Sequence, residues 1–275
     1  VKASLVVVDE AGMLGSETLW LLVRQLGEAV PLLLVGDPMQ LPPVEPGHPF
    51  LDLAEHLPVL WLTKTHRSQE AIALLAEGIR SGTLQEAPPP WGQEVALRPL
   101  EEAFLRELFR GFDPKRTVLL TPLRRGRWGT GALNDLAAAA LGHRKGLAPG
   151  IPVVYLRNSP LLGYANGETD WLERLGADGS LWTQSGRVLP PWAARDLEPA
   201  YALTVHRSQG SEWEEVYVLL PREGLGLMDR SWLYTAATRA KKRLVFLEES
   251  KDLFWEVYRK EPRRRHTLLR GFLSN

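Results

Sequence analysis

The sequence predicts an α/β protein built on parallel sheet and interrupted by a small antiparallel barrel. Three observations carry this. The apolar runs "SLVVVDE", "PLLLVGD", "TVLLTP" and "EVYVLL" are continuous rather than alternating, as strands buried on both faces are. Stretches with helical apolar spacing separate them, which is the pattern of a parallel sheet crossed by helices. Between residues 147 and 198 the character changes to short runs ("IPVVYLRN", "GETDWLERL", "SLWTQSG", "RVLPPW") punctuated by Gly, Pro, Asn and Asp, the signature of a small barrel.

Taken in order, the first strand covers residues 5–8 and ends in Asp9-Glu10. Ser16 is positioned to cap a helix over 17–26 whose apolar face carries Leu19, Leu22, Val23 and Leu26. "PLLLVGD" is a second buried strand and "VLWLT" (59–63) a third. "SQEAIALLAEGIRSG" reads as a helix stopped by Gly82, and "EAPPPWGQ" as a loop. "EEAFLRELFRGF" is a helix, "TVLLTP" a strand, and "GTGALNDLAAAALG" an Ala-rich helix that starts at Gly129-Thr130 and stops at Gly142. After the barrel come the strand "AYALTVH", the polar turn "RSQGSEW", the strand "EVYVLL" and the helix "RSWLYTAATRAKK". On that helix Tyr234 and Thr238, and Thr235 and Arg239, lie one turn apart and form a polar stripe. Lys241, Lys242 and Arg243 read as a solvated turn, followed by the strand "RLVFLEE" and a basic C-terminal helix.

Bulk properties exclude several classes. The 275 residues suit one large or two modest domains, and Lys+Arg equals Asp+Glu at 33 each, so any polyanion-binding surface has to be a local patch. There is no cysteine, hence no disulfide and no thiolate metal site. No signal peptide and no apolar run long enough to span a membrane is visible.

The strand ends carry the chemistry. In "VVVDEAG" two adjacent carboxylates leave a buried strand, which suits Mg²⁺-nucleotide work: one holds the metal's water shell and its neighbour orients or deprotonates an attacking water. The alternative is an ordinary acidic loop. "LLLVGDPMQLPPV" ends a second strand in Gly-Asp, with prolines that lock the loop and a Gln40 amide able to touch a terminal phosphate and a water together. A parallel sheet brings both strand ends to one edge. Arg67 in "LTKTHRSQE" sits at the junction of two blocks, where it either neutralises charge on a transferring phosphoryl group or pairs with Glu70 on the surface. "YALTVHRSQGSEW" gathers Thr204, His206, Ser208, Gln209 and Glu212, short polar groups of the kind that hold a nucleic-acid backbone without reading bases.

In this order "VVVDEAG", "GDPMQLPPV", "THRSQ", "LTPLRRGRWGTGALN", "TVHRSQGSEW" and "LYTAATRAKKRL" resemble the RecD-like branch of superfamily 1 helicases, over roughly residues 5–247. The resemblance implies two RecA-like parallel-sheet domains, the first incomplete, with an SH3-like barrel inserted in the second. It places a partial first motor domain at 1–64, the second at 65–146 and 199–275, and the barrel, with "GYANGETDWL", at 147–198. It implies an ATP-dependent 5′–3′ DNA helicase acting in repair or recombination in the cytoplasm, with single-stranded DNA and duplex junctions as partners and ATP and Mg²⁺ as cofactors. Asp9 would hold Mg²⁺, Glu10 activate water and Gln40 sense the γ-phosphate. Arg67 and Arg239 would be arginine fingers, and Glu212 would help hold nucleotide or position the interface. Pro42, Pro43, Thr121, Arg124, Asn134, Thr204 and His206 would lie along the DNA, with stacking on aromatics such as Trp128 or Tyr164.

The departure is the phosphate-binding loop: no Gly-Lys dipeptide occurs in the sequence, so no G-x-x-x-x-G-K-[ST] is present. The sequence therefore reads as the C-terminal motor portion of such a helicase, inactive alone and in need of a preceding segment or a partner chain that supplies the loop. The alternatives are one half of a split helicase and a non-hydrolysing module that binds single-stranded DNA or a protein.

Overall fold

A computed structural model describes residues 3–26, 29–62, 68–85, 91–262 and 269. The chain begins with β1 (Val6–Val8), α1 (Ser16–Gln25), β2 (Leu32–Leu34) and α2 (Pro49–Ala54). Strands β1 and β2 pair in parallel, Val6 opposite Leu32 and Val8 opposite Leu34. The apolar runs that encode them predict burial on both faces, yet Val7 and Leu33 are each about half exposed. In this two-stranded sheet one face packs and the other meets solvent. The third strand expected at 59–63 does not form: Val59–Leu62 carries no strand, Leu60 and Leu62 are almost fully exposed, and Thr63 lies outside the described residues. A ladder needs a neighbour, and an apolar run without one stays irregular. Helix α1 is capped by Gly15 rather than Ser16, with no side-chain cap.

The chain continues through α3 (Glu70–Ser81), β3 (Val95–Pro99), α4 (Glu102–Arg110), β4 (Thr117–Thr121) and α5 (Thr130–Ala140). An inserted segment follows, with β5 (Ile151–Tyr155), β6 (Thr169–Leu175), β7 (Leu181–Thr183), β8 (Val188–Leu189) and β9 (Leu197–Pro199). The chain then runs through β10 (Ala202–Thr204), β11 (Trp213–Leu220), α6 (Arg230–Ala237), β12 (Ala240–Glu248) and α7 (Leu253–Tyr258).

Strands β10-β4-β11-β12-β3 form one all-parallel sheet. Its inner strands show why continuous apolar runs are required. Val118, Leu120, Val216, Val218, Leu220, Leu244 and Phe246 point to the face covered by α3, α6 and α7, with Ile72, Leu75, Trp232, Leu233 and Phe254. The alternate residues Leu119, Tyr217, Leu219, Val245 and Leu247 point to the opposite face, covered by α4 and α5 through Leu105, Phe109, Leu133 and Ala137. At these central positions both residues of each pleat are buried, so neither carries a charge. Strand β3 escapes the sequence reading because it is an edge strand that ends in Pro99, where a missing N–H is tolerated.

The inserted segment forms a five-stranded antiparallel sheet ordered β8-β7-β6-β5-β9. Among the described residues no ladder joins β8 to β9, so the sheet has two edges where the sequence reading expects a barrel. Its inner residues Val153, Tyr155, Leu172, Leu181 and Leu189 belong to the same buried cluster as α4 and α5. Two boundaries also move. Helix α6 ends at Ala237 and Thr238 is its C-cap, because Ala240 already pairs with Trp213 in the β11–β12 ladder. Arg239 is thus the link between helix and strand, and Lys241 and Lys242 lie on β12 rather than in a turn. Helix α7 is largely apolar and buried, while the basic run at 263–265 lies outside the described residues. Among the described residues no helix is long and apolar enough to cross a membrane.

Candidate functional site

The ends of β1 and β2 are tied together. The Val35 N–H donates to the Val8 carbonyl and the Ala11 N–H to the Val35 carbonyl, both at 2.8 Å. A Cβ on Gly36 would stand 2.9 Å from the Gly12 nitrogen and 3.2 Å from that of Ala11, so only glycine lets the two loops touch. Glu10 sits at this junction with φ 51°, a left-handed conformation uncommon for a residue with a side chain. The turn leaves Glu10 lining a cavity of about 520 Å³. Asp9 is exposed and accepts from the Glu10 N–H at 2.9 Å, but does not line that cavity.

The loop after β2 is held chiefly by the other sheet's elements. Tyr234 on α6 donates its hydroxyl to Asp37 Oδ2 at 2.6 Å, and Ser231 donates to the Met39 carbonyl at 2.8 Å. The Leu41 N–H donates to Thr235 Oγ1 at 2.8 Å, and Gln209 Nε2 reaches the Leu41 carbonyl at 3.3 Å. Within the loop, Asp37 Oδ1 accepts from the Met39 N–H. Residue Gln40 lies at the middle of this clamped segment and lines the cavity. Burial, with the Asp37 carboxylate behind it, raises the Tyr234 phenol well above its ordinary value.

Arg239 closes the cavity from the end of α6. It is 4 % exposed. Its Nε donates to the Thr235 carbonyl, Nη1 to the Ser211 carbonyl and Nη2 to Thr238 Oγ1, at 3.0–3.2 Å. A guanidinium has five N–H donors, so among the described residues two stay uncommitted. Burial lowers its pKa, and the Glu10 carboxylate opposes that fall, followed by Glu212. Glu212 lines the same cavity and pairs with Lys241 at 3.1 Å.

The structure therefore brings Glu10, Gln40, Glu212 and Arg239 around one space. Arg67 lies outside the described residues. Tyr234, Thr238, Lys241 and Glu77 also line the cavity, and Asp37 braces it. The sequence reading assigns none of these a site role, although it places Tyr234 on a polar stripe and notes Asp37 at a strand end.

The residues read along the DNA separate. Thr121 is fully buried and donates to the Trp128 carbonyl at 2.7 Å, so its hydroxyl serves the protein's own loop. Asn134 donates to the carbonyls of Pro199 and Ala202 at 2.8 and 3.2 Å and accepts from the Ala202 N–H at 2.9 Å. Its amide pins the β9–β10 junction to α5 and holds no spare donor. Asn134→Ala is expected to lower stability by about 2–4 kcal/mol, because buried backbone groups lose their partners, and urea denaturation measures it. Thr204 accepts from the Arg207 N–H, Pro43 is buried and Pro42 half-buried, and His206 and Arg124 are exposed. The aromatics proposed for stacking are not available. Trp128 is buried and donates to Glu249, and Tyr164 is buried, stacked on Tyr155 with centroids 4.2 Å apart.

The donor set tests the implied cofactor. A guanidinium, an amide and a carboxylate around one cavity fit the γ-phosphate end of a nucleotide and its attacking water. Among the described residues no group of three or more His, Cys, Asp or Glu is placed to hold a metal. Mg²⁺ keeps most of its waters and needs only one or two carboxylates; of the two adjacent acids, Glu10 lines the cavity and Asp9 does not.

A family model described as an AAA domain matches residues 1–89, and one described as a UvrD-like helicase C-terminal domain matches residues 199–247. The ATP-dependent RecD2 DNA helicase of Deinococcus radiodurans is 33% identical over 276 residues, covering 92% of this chain and 37% of that protein. The RecBCD enzyme subunit RecD of Mycolicibacterium smegmatis is 33% identical over 279 residues, covering 87% of this chain and 49% of that protein. The chain thus spans between about a third and a half of the length of these curated relatives. In fold, it is similar to the Pif1 helicase from Bacteroides in complex with ADP-AlF3 and ssDNA, with a TM-score of 0.55 and 16% identity, covering 95% of this chain and 73% of that one.

Proposed function

We propose, from its 33% identity to RecD2 and RecD helicases over most of its length, that this chain belongs to the RecD-like branch of the superfamily 1 helicases and forms part of an ATP-dependent motor that moves 5′ to 3′ on single-stranded DNA and opens duplex ahead of it. The observation that carries the proposal is the single cavity lined by Glu10, Gln40, Glu212 and Arg239, with groups from both parallel sheets. On this reading residues 1–64 are part of the first motor lobe, residues 65–146 and 199–275 form the second, and residues 147–198 are a module inserted in it.

Bound Mg²⁺-ATP would supply the phosphoryl-transfer centre. Glu10 would orient the attacking water and take its proton, Asp9 would hold the ion through its waters, and Gln40 would meet the terminal phosphate. Arg239 directs its two uncommitted N–H groups at the developing charge. Closure around nucleotide would tighten the cavity between these groups and release would relax it, so that repeated closure would become stepping. Bases are tolerated rather than read. The proposed setting is the cytoplasm, in repair or recombination of DNA.

The chain contains no G-x-x-x-x-G-K-[ST], so the purified 275 residues are expected to show no ATP hydrolysis above background, with or without single-stranded DNA. Adding a segment that carries such a loop, fused or separate, is expected to restore DNA-stimulated hydrolysis that Glu10→Gln abolishes. Robust turnover by the unsupplemented chain, or no dependence on Glu10 after supplementation, overturns the proposal.

A further inference from the structure

The inserted sheet has one face in the core, through Val153, Leu172, Leu181 and Leu189. Its other face is open over β6, β7 and β8, and the register sets a row across it. Arg174 on β6 stands opposite Trp182 on β7, and Trp182 stands opposite Val188 on β8. All three are exposed. The Arg174 guanidinium lies 4.1 Å from the Trp182 ring centroid, and the indole N–H donates to Ser180 Oγ at 3.2 Å. The ring is thus held at a face and at its nitrogen before anything binds. Leu172 and Thr183 pair on the buried face, so their neighbours Trp171 and Trp182 both lie on the open one. Trp171 is half-buried there, with the exposed Lys115 ammonium 5.2 Å from its ring centroid.

The acids of these strands are largely spoken for. Arg187 holds Asp170 and Glu168 at 3.2 and 2.7 Å, and Asp178 accepts from the Ser180 N–H and hydroxyl at 3.0 and 2.7 Å. Even with Glu173, exposed at the register shift of β6, the cations Arg174 and Lys115 outnumber it. Strand β8 is also an edge, and among the described residues it pairs with β7 alone. A cation, an aromatic ring and an aliphatic side chain beside an open strand edge are the makings of a protein interface, where Trp and Arg are enriched. We propose that this face of the insert docks an extended acidic segment of another protein. Its carboxylates meet Arg174 and Lys115, and an apolar side chain covers Trp182 and Val188. A polypeptide can pair with the backbone of β8, which a nucleic acid cannot. Nor does the row suit a stacked base, because Arg174 already occupies a face of the Trp182 ring. Docking here needs neither ATP nor a DNA strand and stands apart from the motor reading.

The test uses the full chain and fluorescein-labelled peptides, with binding followed by anisotropy. The probe is the acidic peptide Asp-Asp-Leu-Asp-Leu-Asp-Asp, beside a basic control with Lys in place of every Asp. The acidic peptide is expected to bind and the basic one not. Trp182→Ala is expected to weaken binding by about tenfold or more, the effect of truncating an aromatic anchor. Arg174→Glu is expected to abolish binding of the acidic peptide and to admit the basic one, a reversal that partial unfolding cannot produce. Trp20→Ala is the matched control. Trp20 is about half exposed on α1, with the Arg24 guanidinium 4.6 Å from its ring centroid, so a merely adhesive Trp–Arg pair is available there too. Its loss is expected to leave peptide binding unchanged. The urea midpoint of each variant confirms that the fold is retained.

If Trp182→Ala and Arg174→Glu bind the acidic peptide as wild type does, or Trp20→Ala loses as much, the docking face is overturned. Failure of the wild-type chain to bind the acidic peptide at about 1 mM overturns it as well. If instead oligo-dT binds the chain and these two insert variants weaken that binding, the face belongs to a nucleic acid and the protein partner is overturned. None of these results bears on ATP hydrolysis by the chain supplied with a phosphate-binding loop, so the motor reading stands or falls separately.

Discussion

Arg239→Ala is expected to lower ATP hydrolysis by about a thousandfold to a hundred-thousandfold in the chain supplied with a phosphate-binding loop, the range associated with loss of an arginine finger. The size of the effect follows from the hydrogen-bond count. Three of the five guanidinium donors are fixed on Thr235, Ser211 and Thr238, which locks the planar head, and among the described residues two stay uncommitted on a side chain that lines the cavity shared with Glu10 and Gln40. A group held this rigidly needs no reorganisation as charge develops. Arg239→Lys separates charge from geometry: the ammonium keeps the charge but cannot hold three anchors and present two donors. Lysine is therefore expected to recover little of the loss. Because Arg239 is also buried, each variant is checked for an unchanged urea midpoint. The rate is read at saturating ATP, so that kcat falls while oligo-dT affinity is retained. Variants that hydrolyse ATP within a few-fold of wild type would remove Arg239 from the reaction.

Much of this site is legible in the sequence because the chemistry sits at strand ends, and strands buried on both faces announce themselves. β4, β11 and β12 are continuous apolar runs for a physical reason, since each pleat faces a helical layer. The same signal overstates the first sheet. Val7 and Leu33 read as core and are half exposed, and the run 59–63 reads as a strand without a ladder to join. Runs report hydrophobicity, and whether a neighbour exists to cover them is information held elsewhere.

Among the site residues, Glu10, Gln40, Glu212 and Arg239 are recognisable by motif, and the cavity brings them together. Residue type alone does not say which way a polar side chain turns. Thr121 and Asn134 look like DNA ligands and are fastened to the protein's own backbone. The converse holds for Asp37 with Tyr234, whose partner lies 197 positions away in the chain, and nothing in the local sequence marks the pair.

The Asp37–Tyr234 pair gives the second large effect. Helix α6 grips the loop that carries Gln40 through Ser231, Tyr234 and Thr235, then leads within a few residues into Arg239. One helix thus sets the positions of an amide from one sheet and a guanidinium from the other. Tyr234→Phe removes the donor to Asp37 and is expected to weaken this contact by about 1.5–3 kcal/mol, as for a hydrogen bond to a charged group. It has a pH signature that simple loss of packing lacks. In the folded chain the phenol titrates above its unfolded value of about 10. Between those two values the native state binds the extra proton, so stability falls as pH rises, by up to about 1.4 kcal/mol per pH unit for this one group. Its contribution is whole below about pH 10 and drains away above it. Tyr155 and Tyr201, each pushed up to about 12 with burial as the leading cause, titrate in both proteins and cancel in the difference. Urea midpoints of wild type and Tyr234→Phe should therefore converge as pH climbs past about 10, and a double-mutant cycle with Asp37→Asn should show coupling of about 1–3 kcal/mol at neutral pH. Parallel pH curves with no coupling would mean that α6 does not hold the loop through this bond, and the link between Gln40 and Arg239 would have to run through Ser231 and Thr235.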